Sequence, residues 1–309
     1  MADTASPSGD QLHIAAGDTQ AVVVTLGAGL RSLQHAGRNL LHGYDDATAV
    51  PFSRGQVLAP WPNRVADGRY GWDGQTHQLP LTEPSRQCAL HGLVAWHEWT
   101  LAEYTTDRVR LTTRVFPQPG YEFLLDLEVG YRVTAQGLES VVTATNVGTN
   151  AAPYGVGVHP YLQVGDGEVD DCELRLGAAT VLSTDDRLIP TGRVPATGGV
   201  LDFTDWHSLR GVVLDDAFTD IERGTDGRIW AAVRQGEEVT AIWGDASCGW
   251  WQVCTGDQAT PPWRRRGVAL EPMTCPPNAF ATGEDVLTLE PGEHHTVRWG
   301  VHDGDPFAR

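Results

Sequence analysis

The sequence predicts one large antiparallel β domain of the sandwich or barrel kind, and three observations carry that reading. Apolar and polar residues alternate at period two through several stretches. Thirty-five glycines and 19 prolines punctuate the chain from end to end. That punctuation leaves few uninterrupted stretches of helical length. Many short strands joined by polar turns fit a sandwich or barrel better than alternating strands and helices.

Residues 1–10 are small and polar, with neither the basic start nor the apolar run of a signal peptide, and are expected to fray. Residues 11–309 read as a single domain, since no low-complexity linker or repeat divides them. A first strand is expected over 21–26. Tyr70-Gly71-Trp72-Asp73-Gly74-Gln75-Thr76 reads as a hairpin with Asp-Gly at its turn. A strand follows over 108–116. Leu125, Leu127, Val129, Tyr131 and Val133 then alternate with Asp126, Glu128, Gly130, Arg132 and Thr134, the mark of a strand with one buried face. A turn at Ala135-Gln136-Gly137 leads into a second alternating run that stops at Asn146-Val147-Gly148, completing a hairpin. Residues 183–204 read as a long loop wrapping the domain. Strands over 229–234, 239–243, 250–255 and 296–301 complete the list.

The chain of 309 residues is 41% hydrophobic, ample for a large core, and carries a net charge of -18. It contains no lysine. A Schiff-base mechanism is therefore excluded, and nucleic acid and anionic membranes are poor partners for so acidic a surface. Codon or salt adaptation would explain the exchange of lysine for arginine, and the exclusion holds whatever the cause. No apolar run is long enough to span a bilayer. The five cysteines form no C-x-x-C pair and read as reduced thiols, which points to the cytoplasm. Cys275, the one nearest a reactive segment in sequence, reads as a packed small residue.

Three short stretches set one reactive side chain between strand-formers and a Gly or Pro. They are Ala89-Leu90-His91-Gly92-Leu93, Gly157-Val158-His159-Pro160-Tyr161 and Ala269-Leu270-Glu271-Pro272-Met273. Two imidazoles and a carboxylate, brought together, make an acid–base set for proton transfer at neutral pH. A histidine beside a strand is also a common structural residue, and the residues alone leave both readings open. Glu271 ends an apolar run, where desolvation raises a carboxyl pKa and improves it as a base. An ion pair with one of Arg264 to Arg266 is the alternative. Leu58-Ala59-Pro60-Trp61-Pro62-Asn63-Arg64 is a proline-fixed loop suited to offer a sugar the face of Trp61 and the donors of Asn63 and Arg64; capping of carbonyls is the other reading. Asp215, in Leu214-Asp215-Asp216-Ala217-Phe218-Thr219-Asp220, can accept two sugar hydroxyls, unless the acids are a solvated loop. No His-Glu-x-x-His or His-x-His occurs, so no metal is expected.

Together these segments resemble the aldose 1-epimerase (galactose mutarotase) family. The resemblance runs from about 23 to 301 and is carried, in order, by seven segments. They are Leu26-Gly27-Ala28, the 58–64 loop, Leu90-His91-Gly92, 157–161, Asp215-Asp216-Ala217-Phe218, Val253-Cys254-Thr255-Gly256-Asp257 and Glu271-Pro272-Met273-Thr274. One such motif is weak evidence; the ordered set is specific. The Leu-Asp-Asp-x-Phe-Thr and Glu-Pro-Met-Thr forms look most like a bacterial branch with poorly defined substrates. The resemblance implies a large antiparallel β-sandwich with a sugar in an open cleft. It implies Glu271 as general base and His159 as general acid, with His91, Arg64 and Asp215 holding sugar oxygens. Asn63 and Tyr161 are second contacts. Asp215 is preferred to Asp216 because it stands three residues before Phe218.

The implied reaction is exchange of the α and β anomers of a free aldose, without metal, nucleotide or other cofactor. The partner is a small sugar, and the protein a monomer or homodimer. Two other functions compete: a glycosidase using Asp215 and Glu271, which release of reducing sugar would reveal, and a non-catalytic sugar binder. A phosphorylated or sulfonated sugar also stays open, with Arg54 or Arg264–Arg266 as its candidate pocket.

Overall fold

The alternation that begins at Leu125 becomes the middle of the largest sheet. In the computed structural model, which describes residues 5–163 and 165–308, Leu125–Thr134 buries its apolar side chains on one face. It pairs along its whole length with Gly137–Asn146 across the two-residue turn Ala135-Gln136. The sheet has nine strands, in the order Thr100–Tyr104, Arg108–Val115, Leu125–Thr134, Gly137–Asn146, His294–Asp303, Glu238–Gly244, Ile229–Gln235, Glu173–Leu176 and His207–Ser208. Every strand pairing in it is antiparallel.

Two further sheets cover this one. A four-stranded meander, Gln11–Ala16, Thr19–Val24, Leu30–His35 and Arg38–Asn39, packs on Arg108–Val115, Leu125–Thr134 and Gly137–Asn146. Toward the other end, Glu238–Gly244 meets Val268–Met273 of an eight-stranded sheet. That sheet runs Pro190–Pro195, Ala178–Thr184, Asp215–Ile221, Trp250–Cys254, Val268–Met273, Gly157–Val158 and Val57–Leu58, with Tyr161–Leu162 also paired to Val268–Met273. One apolar core runs through all three sheets and includes Trp99, Trp251, Trp299 and Tyr131, whose hydroxyl donates to the Ala28 carbonyl at 2.7 Å. Each such aromatic removes roughly 150–250 Å² from water. The architecture is the expected antiparallel β-sandwich in a single domain.

Local sequence explains the small elements too. Asp73 and Gly74, at φ 47° and 71°, form the doubly left-handed turn that a two-residue hairpin favours, joining Arg69–Trp72 to Gln75–Gln78. Ala279–Thr282 is the only α-helix among the described residues, so no helix there is long and apolar enough to cross a membrane.

Two expectations need correction. Residues 183–204 are not one loop: Pro190–Pro195 is an edge strand paired with Ala178–Thr184. None of its residues is buried, so it shows no one-sided alternation to read. Of the segment expected to fray, residues 1–4 lie outside the described residues, but 6–10 are tied down. Ser8 is fully buried, the Ser6 hydroxyl donates to the Asp46 carbonyl at 2.5 Å, and the Asp10 amide donates to Thr25 Oγ1 at 2.9 Å.

Candidate active site

Val268–Met273 ends in Glu271-Pro272-Met273 and lies between Trp250–Cys254 on one side and Gly157–Val158 and Tyr161–Leu162 on the other. Pro160, which lacks an amide hydrogen, sits in the gap between those two short strands, and His159 stands beside it. The break aims His159 at Glu271: Nε2 lies 3.4 Å from Oε1. Both side chains are buried, and neither His159 Nδ1 nor Glu271 Oε2 has a protein partner. Burial drives the Glu271 carboxyl well above its usual range, and nearby Asp215 adds to the effect. Burial, then Arg54, brings His159 down to about 3. Both directions favour the uncharged forms, carboxyl and imidazole.

His91 completes the triangle, its ring 5.3 Å from that of His159 at 74°. It follows Cys88–Leu90, which pairs with Arg64–Ala66, and so faces the 58–64 loop. Asn63 and His91 both adopt left-handed backbone, at φ 55° and 61°. The His91 amide donates to the Asn63 carbonyl at 2.9 Å, and the Asn63 amide donates to His91 Nδ1 at 3.2 Å. An accepting Nδ1 means a neutral imidazole with its proton on Nε2. Burial, His159 and Arg64 all hold His91 well below its ordinary pKa, in agreement. Asn63 Oδ1 accepts the Arg64 amide at 2.8 Å, so Asn63 braces the loop as well as lining it.

Arg64 is clamped by Glu83, donating through Nε at 2.8 Å and Nη2 at 3.1 Å, with Nη1 3.7 Å from Asp215. Burial opposes the Arg64 charge, but Glu83 and Asp215 outweigh it. Asp215 accepts from Gln252 Nε2 at 2.7 Å. Burial raises its pKa, while Arg64 and Gln252 pull the other way. Successive strand residues face opposite sides, and it is Asp215, not Asp216, that meets Arg64 and Gln252. Tyr161 stacks on His159, with ring centres 5.1 Å apart and planes 11° apart.

Seven residues singled out in the sequence thus form one connected cluster: Glu271, His159, His91, Arg64, Asp215, Asn63 and Tyr161. Gln252 and Glu83 join them without having been foreseen. Gln252 is the ladder partner of Glu271, which only the strand register reveals. Glu83 stands next to Pro84 in an exposed turn with no distinguishing pattern.

Two readings fail, and the packed reading of Cys275 holds. Trp61 does not offer its face to a ligand; it is buried against Tyr121 and Phe280, because the flanking prolines turn it inward. Glu271 makes no ion pair with Arg264–Arg266, since Arg265 binds Asp170 and Asp257, and Arg266 lies 3.8 Å from Glu168. The cysteine beside the cluster is Cys254, the ladder partner of Asp215 and the one cysteine not fully buried, whereas Cys275 is core. No group of three or more potential metal ligands occurs among the described residues.

A family model described as aldose 1-epimerase matches residues 10–301. The uncharacterized protein YihR of Escherichia coli (strain K12) is 36% identical over 297 residues, covering 96% of this chain and 94% of that protein. The galactose mutarotase of Rattus norvegicus is 30% identical over 156 residues, which is 48% of this chain and 44% of that enzyme. Among solved structures, the GalM/aldose epimerase homologue from C. elegans superposes with a TM-score of 0.85 at 18% identity, covering 96% of this chain and 99% of the other.

Proposed function

The chain belongs to the aldose 1-epimerase family, and from that premise we propose that it interconverts the α and β anomers of a free aldose. The observation that carries this reading is the buried His159–Glu271 pair, 3.4 Å apart. The anomeric carbon bears two oxygens, and two acid–base groups at this spacing can serve both. Glu271 takes the proton from the C1 hydroxyl as His159 gives one to the ring oxygen, and the C1–ring oxygen bond breaks. The open aldehyde turns about C1–C2. Closure on the other face returns a proton from the former ring oxygen to His159 and from Glu271 to the carbonyl oxygen. The dyad, carboxyl–imidazole in the sugar-free protein, passes its proton from Glu271 to His159 when the closed sugar binds, and returns to carboxyl–imidazole once the ring is open. No external acid or base is consumed.

The remaining residues hold the sugar. Neutral His91 donates through Nε2; Arg64 donates and Asp215 accepts at neighbouring hydroxyls. Asn63 and Tyr161 line the same cluster. Asp215→Asn is expected to lower kcat/KM about 10–100-fold, the worth of a hydrogen bond to a charged group. Asp216→Asn, on the opposite strand face, should change it by less than about threefold on the same scale. Equal losses in the two variants, measured by anomer exchange, would contradict the assignment. Glu83 is expected to act through Arg64. Glu83→Gln should raise KM roughly tenfold with kcat little changed, because one charge-assisted contact is released.

The overall reading is tested by exchange NMR between anomers of galactose, glucose, arabinose, glucose 6-phosphate and sulfoquinovose. Acceleration of at least one supports it and identifies the sugar class, neutral or anionic. Binding to a sugar with no acceleration of any would replace the enzyme with a binding protein.

A further inference from the structure

Arg54 is the most unusual charge in the molecule. It is 2% exposed, and its donors go to carbonyls rather than carboxylates: Nε to His42 at 3.2 Å and Nη2 to Arg266 at 2.8 Å. Nη1 is buried with no partner. The guanidinium lies 3.7 Å from the centre of the Tyr161 ring and 5.1 Å from that of Trp263. A buried cation without a counter-ion is costly unless something uses it.

The segment that holds Arg54 is built around His159. The Gly55 amide donates to the His159 carbonyl at 2.8 Å, and the His159 amide donates to the Gln56 carbonyl at 3.2 Å. Phe52 and Ser53, immediately before Arg54, both adopt left-handed backbone at φ 50° and 55°. Two consecutive non-glycine residues in that region mark stored strain, which persists only where the surroundings enforce it. Tyr161 joins the two ends, since its ring stacks on His159 and also carries Arg54.

We infer that Arg54 is a positioning residue for the reaction: through Tyr161, which both groups touch, it fixes the plane of the His159 ring and sets an unneutralised positive charge behind it. The inference rests on His159 being the acid of the proposed reaction. A positive charge there makes the imidazolium a stronger acid toward the ring oxygen, and His159 is indeed held low by burial and then by Arg54. The other titratable or charged groups facing His159 are Glu271, His91, Tyr161 and Arg64. Of these, Tyr161 also touches Arg54, and Arg54→Lys, which keeps a charge over that ring, is the control for it.

The test is imidazole NMR titration of His159 together with the pH profile of kcat/KM, in the wild type, Arg54→Met and Arg54→Lys. The charge lies within about 9 Å of the imidazole, so at an effective dielectric near 20 its removal should move the midpoint by about one pH unit. Loss of a positive charge makes protonation easier, so the direction is upward. Arg54→Met should raise both the His159 midpoint and the acid limb of kcat/KM by about that amount, while Arg54→Lys should leave both near the wild type. A folded Arg54→Met with an unchanged midpoint and limb would overturn the inference. Should the methionine variant fail to fold, a full-unit rise in Arg54→Lys, which keeps the charge, would overturn it equally. The NMR midpoint does not depend on turnover. A protein that exchanges no sugar would defeat the proposed function and leave this coupling measured.

Discussion

Glu271→Gln should abolish most anomer exchange while leaving the protein at least as stable as the wild type at neutral pH. A positioned acid or base typically contributes ~10²–10⁴ in rate, equivalent to about 3–5 kcal/mol of barrier. Because His159 and Glu271 act in one concerted step, His159→Asn and the double variant should fall to nearly the same floor as Glu271→Gln. Additive losses would show that the two act independently. The stability side follows from proton linkage. Burial raises the folded pKa of Glu271 above its unfolded value of 4.5. Its contribution to stability is therefore fully present below the unfolded pKa and is lost as pH rises toward the folded one. Glutamine has no proton to lose. The melting temperature of Glu271→Gln relative to wild type should thus climb between about pH 4 and pH 7. A falling difference over that window would place a charged, stabilising carboxylate in the resting protein instead.

The second large effect is expected at Gly92, directly after His91. Its φ is 71°, and a Cβ there would lie 2.1 Å from the Ala59 carbonyl oxygen, with more Ala59 backbone just beyond. Gly92→Ala combines left-handed strain with an overlap that no side chain can relieve by turning, together on the order of 3–4 kcal/mol. Gly74 has the same φ of 71° with nothing within 4 Å. Gly74→Ala should therefore cost only about 1–2 kcal/mol, the left-handed part alone. Urea unfolding of the pair separates the two causes. Comparable losses would mean that the backbone near Ala59 yields. Any shift there also moves His91, so Gly92→Ala should lose sugar affinity under conditions where it remains folded.

Legibility differed between fold and site for physical reasons. The hairpin of Leu125–Thr134 with Gly137–Asn146 was readable because one face is buried, and burial enforces alternation. Pro190–Pro195 was not, since an edge strand exposed on both faces leaves no such mark. In the cluster, Glu271, His159 and His91 stood out because each follows strand-forming residues and precedes a Pro or Gly, although Pro272 stays in its strand, paired with Trp251. Gln252 reaches the same cluster from mid-strand with no such neighbour, and Glu83, though followed by Pro84, has no strand directly before it to mark it. Arg54 read only as a candidate charge for an anionic sugar, whereas it is buried and donates to the His42 and Arg266 carbonyls. It lies 105 residues before His159 in sequence, and only the pairing of Val57–Leu58 with Gly157–Val158 brings them together. Trp61 shows the converse error, since an aromatic residue among prolines and polar side chains reads as a displayed face when the loop's curvature turns it inward.

The position of His294–Asp303 has a consequence for how the molecule comes into being. It is the last strand in sequence, yet it lies inside the largest sheet, between Gly137–Asn146 and Glu238–Gly244. As the nascent chain leaves the ribosome, the strands up to Asn146 can assemble early, and those around Glu238–Gly244 later. Each group keeps an unsatisfied rim until residue 303 has emerged. For that interval the chain exposes two adhesive edges to its neighbours. A single late insertion then closes both at once.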